Sequence, residues 1–184
     1  MDVTQTNFRS KSLSRHLSIR IFSSVIAIGL LSSTVTGEVQ AENAASALDT
    51  NQLAFFDQVK SMCGARFEGK SVFPNDPDDA FTGQLLVAVI ESCEANEIRI
   101  PFMVGTDSSR TWVLRKTVNG LQLKHDHRHP DGTPDEVTLY GGVAVDAGSS
   151  LSQSFPADSY TAKLIPEASS NEWFLSFSDN GLEL

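Results

Sequence analysis

The stretch HDHRHPDGTPD, His125–Asp135, sets three histidines at alternate positions ahead of a proline and a glycine-centred turn ringed with aspartates. Imidazole nitrogens are good zinc ligands. Residues two apart on a strand lie about 6.5–7 Å from each other, so His125 and His127 can pivot onto one tetrahedral ion with bonds of about 2.0 Å. In that reading His129, Asp131 or Asp135 supplies the next ligand, and the cofactor is a divalent metal such as zinc. The remaining histidine, His16, falls in a basic N-terminal segment, so every other histidine of the chain lies in this one stretch.

The same residues support two metal-free readings. Asp126, Asp131, Asp135 and Glu136 favour the charged imidazolium, which would make the cluster a pH-sensitive latch working near neutrality. Alternatively, Pro130 and Asp131-Gly132 start a turn at once, and the later histidines overhang it in water. Acid–base catalysis by a His–Asp pair needs a placed substrate, and no motif here describes one.

Other signals are sparser. Arg110, in SSRTW, precedes a strand and can bind an anion or pair with an aspartate. Trp112 and Tyr140 join it as candidate binding residues, with Phe102, Trp173 and Phe177 as further aromatics that line either a ligand cavity or the core. The glycines of YGG, Tyr140–Gly142, permit close backbone approach. DGTPDE lacks the ligand spacing of a calcium loop, and there is no G-x-S-x-G elbow.

The elements that must hold these residues read mostly as strands. With Leu121 and Leu123 facing the core, alternation puts His125 and His127 on the same inner face and Lys124, Asp126 and Arg128 on the outer one. QLLVAVIESC, EIRIPFMVG, RTWVLRKTV, LQLKHDH, EVTLYGG, SLSQSFPAD and EWFLSFSD all read as strands, and FPNDPDDAFTG as a loop. NQLAFFDQVKSMCG has Leu53, Phe56, Val59 and Cys63 three to four residues apart, the apolar stripe of a helix capped at Asp49, Thr50 or Asn51 and ended at Gly64. Short strands with one helix predict a mainly β fold: a single antiparallel β-barrel or sandwich, calycin-like, with one N-terminal α-helix.

Residues 1–41 read differently. Arg9, Lys11, Arg15 and Arg20 precede the apolar run Ile21–Leu31, and small residues lead to VQA at Val39–Ala41. That is the order of a secretory signal peptide. The run is about half of what a spanning helix needs, so no integral membrane segment is expected once the signal is removed. Residues 42–48 then form a tether, 49–184 the β-rich domain, and the location is periplasmic or extracellular.

Export agrees with the cysteines. Cys63 and Cys93 are the only two, and an oxidising compartment pairs them. The chain is acidic, with net charge −9, and residues 1–41 hold four of its 14 basic and two of its 23 acidic residues. Such a surface repels phosphate backbones, so nucleic acid is not an expected partner.

The order CGARFEG, EIRIPFMVG, SRTW, LQLKHDHRHPDGTPDEVTLYGG and FPAD, from Cys63 to Asp158, resembles a group of exported bacterial proteins to which no activity is assigned. Its most distinctive block is Leu121–Gly142. Members of that group carry at least one further strand past the point where this chain stops, which implies a truncated C-terminus after NGLEL. The resemblance implies no chemistry. The function expected from the sequence is a non-enzymatic binding or interaction module for a small-molecule ligand or protein partner, with a metal-dependent enzyme using His125, His127 and His129 as its rival.

Overall fold

Alternation of apolar residues becomes an antiparallel sheet in the computed structural model, which describes residues 6–10, 48–72, 80–178 and 181–183. In chain order the elements are β1 (Thr6–Ser10), α1 (Thr50–Ser61), β2 (Arg66–Ser71), β3 (Leu86–Val89), β4 (Ser92–Cys93) and β5 (Glu97–Val104). They continue with β6 (Asp107–Thr117), β7 (Gly120–His127), β8 (Tyr140–Val143), β9 (Ser152–Pro156), α2 (Ser159–Leu164), β10 (Glu172–Ser178) and β11 (Gly181–Glu183). One turn of 3-10 helix, Pro166–Ala168, follows α2.

The sheet runs β8-β7-β6-β5-β3-β2-β1-β11-β10-β9, with β4 paired to β5, and every pairing is antiparallel. Its two ends approach without forming a ladder. Gly142 and Ala157 make an isolated bridge, and the Asp158 N–H donates to the Gly141 carbonyl at 3.0 Å.

The long hairpin β5–β6–β7 carries the clearest pattern. On β5, Ile98, Ile100, Phe102 and Val104 are buried while Glu97, Arg99, Pro101 and Met103 are half-buried, the two-residue period of a sheet with one face on a core. The core collects Phe55, Phe56, Ile100, Trp112, Leu121, Leu123, Phe155 and Leu175 from strands and helix alike.

Helix α1 begins as read: the Asp49 carboxylate accepts from the Asn51 N–H, and Gly64 takes a left-handed φ of +85° just beyond the helix. Its buried stripe is Gln52, Phe55, Phe56 and Val59, and Leu53 is exposed. The predicted stripe through Leu53 is therefore corrected by a rotation of about one residue. Two adjacent phenylalanines outweigh one leucine in apolar area, and Gln52 enters with them because its amide donates to the Asp146 carbonyl at 2.8 Å. Leu48, assigned to a tether, is buried in the core.

Three further corrections concern elements. The expected single helix has a companion in α2, where Asp158 caps by accepting from the Thr161 N–H at 2.9 Å. EVTLYGG is strand only over β8, because Leu139 turns the backbone left-handed with φ +58°. QLLVAVIESC breaks after β3: Ile90 turns to hydrogen-bond Ala65 and Gly64 before β4 resumes. FPNDPDDAFTG lies largely outside the described residues.

Cys63 and Cys93 form the expected disulfide, with Cα atoms 6.2 Å apart, tying the end of α1 to β4. A crosslink over 30 residues stabilises by about 3 to 4 kcal/mol in the chain-entropy account. Within the stretch read as an export signal, Thr6–Ser10 forms β1 between β2 and β11, and the other residues of 1–41 lie outside the described set. Among the described residues no helix is long and apolar enough to cross a membrane.

Candidate functional site

Register brings the candidates together. Ile100 on β5 faces Trp112 on β6, Trp112 faces His125 on β7, and His125 faces Tyr140 on β8. One step toward the rim, Phe102 faces Arg110 and Arg110 faces His127. Directly opposed residues share a face, so Arg110, Trp112, His125, His127 and Tyr140 all point to the same side of the sheet.

The rings are in contact. His125 stacks on Tyr140 with centroids 4.7 Å apart and planes 13° apart, and meets the edge of Trp112 at 6.3 Å. Trp173, from β10, comes from a distant part of the sheet to lie 5.4 Å from His125 and 5.9 Å from Tyr140. Phe102 stacks on Trp112 at 4.4 Å. Trp112 and His125 are buried, whereas Tyr140, Trp173, His127 and Arg110 are half-buried and mark the margin of the cluster.

Burial decides protonation here. His125 has its pKa pushed down to about 3, first by loss of water and then by the positive charges of His127 and Lys124. Its Nε2 is buried and has no hydrogen-bond partner. His127 is also lowered, by burial first and then by the Arg110 charge, against the pull of Asp135, Asp107 and Asp126. Burial raises Tyr140, whose hydroxyl shares a 3.1 Å hydrogen bond with His127 Nε2. A latch protonating near neutrality through its acidic neighbours is thus corrected for these two histidines: desolvation outweighs the aspartates.

Asp126 is on the outer face, as parity requires, yet it is buried. Arg99 Nη2 reaches its carboxylate at 2.6 Å, and Arg128 and Thr138 flank it. Arg128 is a local partner, two residues away, but Arg99 lies 27 residues away on a strand that is not β7's neighbour.

Arg110 pairs with Asp107, the aspartate alternative of the two foreseen, and its guanidinium lies over the Phe81 ring at 5.7 Å. The Ser109 backbone N–H, chiefly, holds Asp107 down at about 2, with Arg110 assisting.

His129 and Asp131 are placed elsewhere. After His127 the backbone leaves the sheet in a loop closed by the Arg128–Pro134 bridge and by the His129 N–H on the Thr133 carbonyl, with Gly132 at φ +85°. Both side chains are exposed. His129 Nδ1 stands 4.0 Å from Asp135, and Asp131 accepts from the Thr133 N–H and hydroxyl at 2.9 and 2.6 Å. His125, His127, His129 and Asp131 are therefore not gathered around one point, and among the described residues no group of three or more His, Cys, Asp or Glu could hold a metal ion. Arg128, His129, Pro130 and Gly132 instead line a separate cleft of about 530 Å³, facing Thr106–Ser109.

The glycines of YGG make the close approach foreseen for them. A Cβ at Gly142 would overlap the Pro156 carbonyl, and one at Gly141 would overlap the Leu123 carbonyl. These contacts hold β8, and Tyr140 with it, against β7 and the end of β9. Comparison of the chain with protein-family models, with curated proteins and with solved structures gives no match.

Proposed function

We infer that the protein is an exported, non-enzymatic binding module whose site is the aromatic cluster around His125. One observation carries this reading: a buried imidazole with an unpartnered Nε2 stands among Trp112, Tyr140 and Trp173. A core selected for packing alone would use an apolar ring there, since an unsatisfied buried nitrogen costs about 1–3 kcal/mol. A ligand that reaches the nitrogen offsets that cost.

Other features agree. The approach of β8 to β9 suits a barrel-like sheet, with Arg110 and His127 at the margin of the cluster. The disulfide and the basic, apolar, small-residue order of residues 1–41 support export.

The chain's two tryptophans, Trp112 and Trp173, both belong to the cluster, so indole emission reports on this site alone. Screening planar apolar compounds by thermal shift and tryptophan fluorescence together tests the proposal. Compounds that raise the melting temperature are expected to change indole emission. Stabilising compounds that leave both indoles unchanged would place the binding surface elsewhere.

A further inference from the structure

We propose that the place of β1 in the sheet is a strand-accepting slot. In the exported protein it takes an extended segment of a different polypeptide, one in which a bulky apolar residue directly precedes a basic one. This step rests on the export reading above and not on the aromatic cluster.

The slot is built of backbone. β1 lies between β2 and β11 and runs antiparallel to both, pairing Thr6–Ser10 with Phe67–Ser71 on one side, and Asn7 and Phe8 with Glu183 and Leu182 on the other. Residues 1–41 have the order of a signal removed on export. Its removal leaves β2 and β11 two strand spacings apart, about 9–10 Å, each with an unpaired row of N–H and C=O groups. The two walls run parallel to each other, since each is antiparallel to β1. Closing them directly would set a parallel ladder, the less stable kind per residue, into a sheet paired antiparallel throughout. An added strand restores both antiparallel ladders without moving either wall.

Register states what that strand carries. Along β2, Phe67 is buried, Gly69 and Ser71 are half-buried, and Glu68 and Lys70 are exposed, so its odd-numbered positions face the core. Position 8 pairs with Gly69 on β2 and with the buried Leu182 on β11. Glycine has no side chain to fill that row, which leaves the place to a bulky apolar residue of the occupant. The following position pairs with Glu68, an exposed carboxylate, and favours a basic residue. β1 has Phe8 and Arg9 at these two positions.

A second copy of this chain does not supply the pair. In residues 42–184 a bulky apolar residue directly precedes a basic one only at Val59-Lys60, Ile98-Arg99, Leu114-Arg115 and Leu123-Lys124, inside α1, β5, β6 and β7. Copies lend one another mismatched edges, and the matched occupant is another polypeptide.

The test uses the chain expressed with its own leader and recovered after export, its N-terminus read by mass spectrometry, beside the full chain with its disulfide formed. A fluorescent peptide of residues 4–12 is the probe, followed by anisotropy. The processed protein is expected to bind it, and the full chain, whose slot is filled by β1, is not. Phe8→Ala in the peptide is expected to weaken binding about tenfold or more, and Arg9→Glu about fivefold. If the processed protein self-associates, the unaltered peptide is expected to disperse it and the Phe8→Ala peptide is not.

An exported protein that keeps residues 1–41 overturns the proposal together with the signal reading. A processed protein that ignores the peptide, or treats the Phe8→Ala peptide like the unaltered one, overturns the slot while export stands. Equal uptake by the full chain places the peptide on another surface and overturns it as well.

Discussion

At the scale of single residues, His125 couples stability to pH. Its folded pKa of about 3 lies well below the ordinary 6.5. As pH falls below about 6.5 the unfolded chain takes up a proton that the folded protein refuses, so stability is full above that pH and declines toward about 3. By pH 5 the loss from this one group is about 2 kcal/mol. Denaturant unfolding at pH 7 and pH 5 checks it: His125→Phe is expected to lose clearly less between the two, and an unchanged difference would contradict the account. On the outer face, Asp126→Asn weakens the contacts to Arg99 and Arg128 and is expected to cost about 2 kcal/mol in the same assay. The core face shared by His125 and His127 was readable from alternation with Leu121 and Leu123, but not that His125 alone of the two is buried. That its nitrogen would lack a partner was not, because Trp173 arrives from 48 residues further along the chain.

At the scale of elements, β8 is the piece that local rules described least well. Only three residues of EVTLYGG pair, and Leu139 accepts a left-handed backbone so that Tyr140 can stack on His125. A non-glycine residue costs about 1–2 kcal/mol in that conformation, and glycine's extra unfolded-state freedom returns part of any relief. Leu139 is largely exposed, so Leu139→Gly is expected to be neutral or to stabilise by about 0.5 kcal/mol, read as a rise in melting temperature. Gly142→Ala should do the opposite: its methyl would overlap the Pro156 carbonyl, and a loss above about 3 kcal/mol or failure to fold is expected. Helix α1 shows the limit of a periodic pattern. Two stripes one residue apart were both amphipathic, and only the rest of the core selected the pair of phenylalanines.

At the scale of the molecule, β1 comes from the segment read as an export signal, and removal of that signal on export would take the strand from the sheet. β1 pairs with β2 over five residues and with β11 over two, so its removal exposes backbone edges on both. Exposed edges recruit other strands. A chain beginning at residue 42 is therefore expected to self-associate with rising concentration in sedimentation or light scattering. A peptide spanning Thr6–Ser10, added in excess, should suppress that association; monomeric behaviour without the peptide would show that β2 and β11 close on each other. Reducing the Cys63–Cys93 disulfide is expected to lower the unfolding free energy by about 3 to 4 kcal/mol, measured with and without reductant.

What the amino-acid order determined alone is what depends on neighbours along the chain. Two-residue alternation yielded β5, β6 and β7 with the core face of His125, the Asp49 cap and Gly64 bounded α1, and two lone cysteines in a chain with an export-like leader yielded the disulfide. These are short-range consequences of backbone geometry and of cysteine redox chemistry. Tertiary structure alone decided that His129 and Asp131 leave the histidine row, that Trp173 joins it, and that Asp126 is buried by Arg99. Each of those turns on which distant strand lies alongside, and that is set by the burial of the whole core together, which no local pattern encodes.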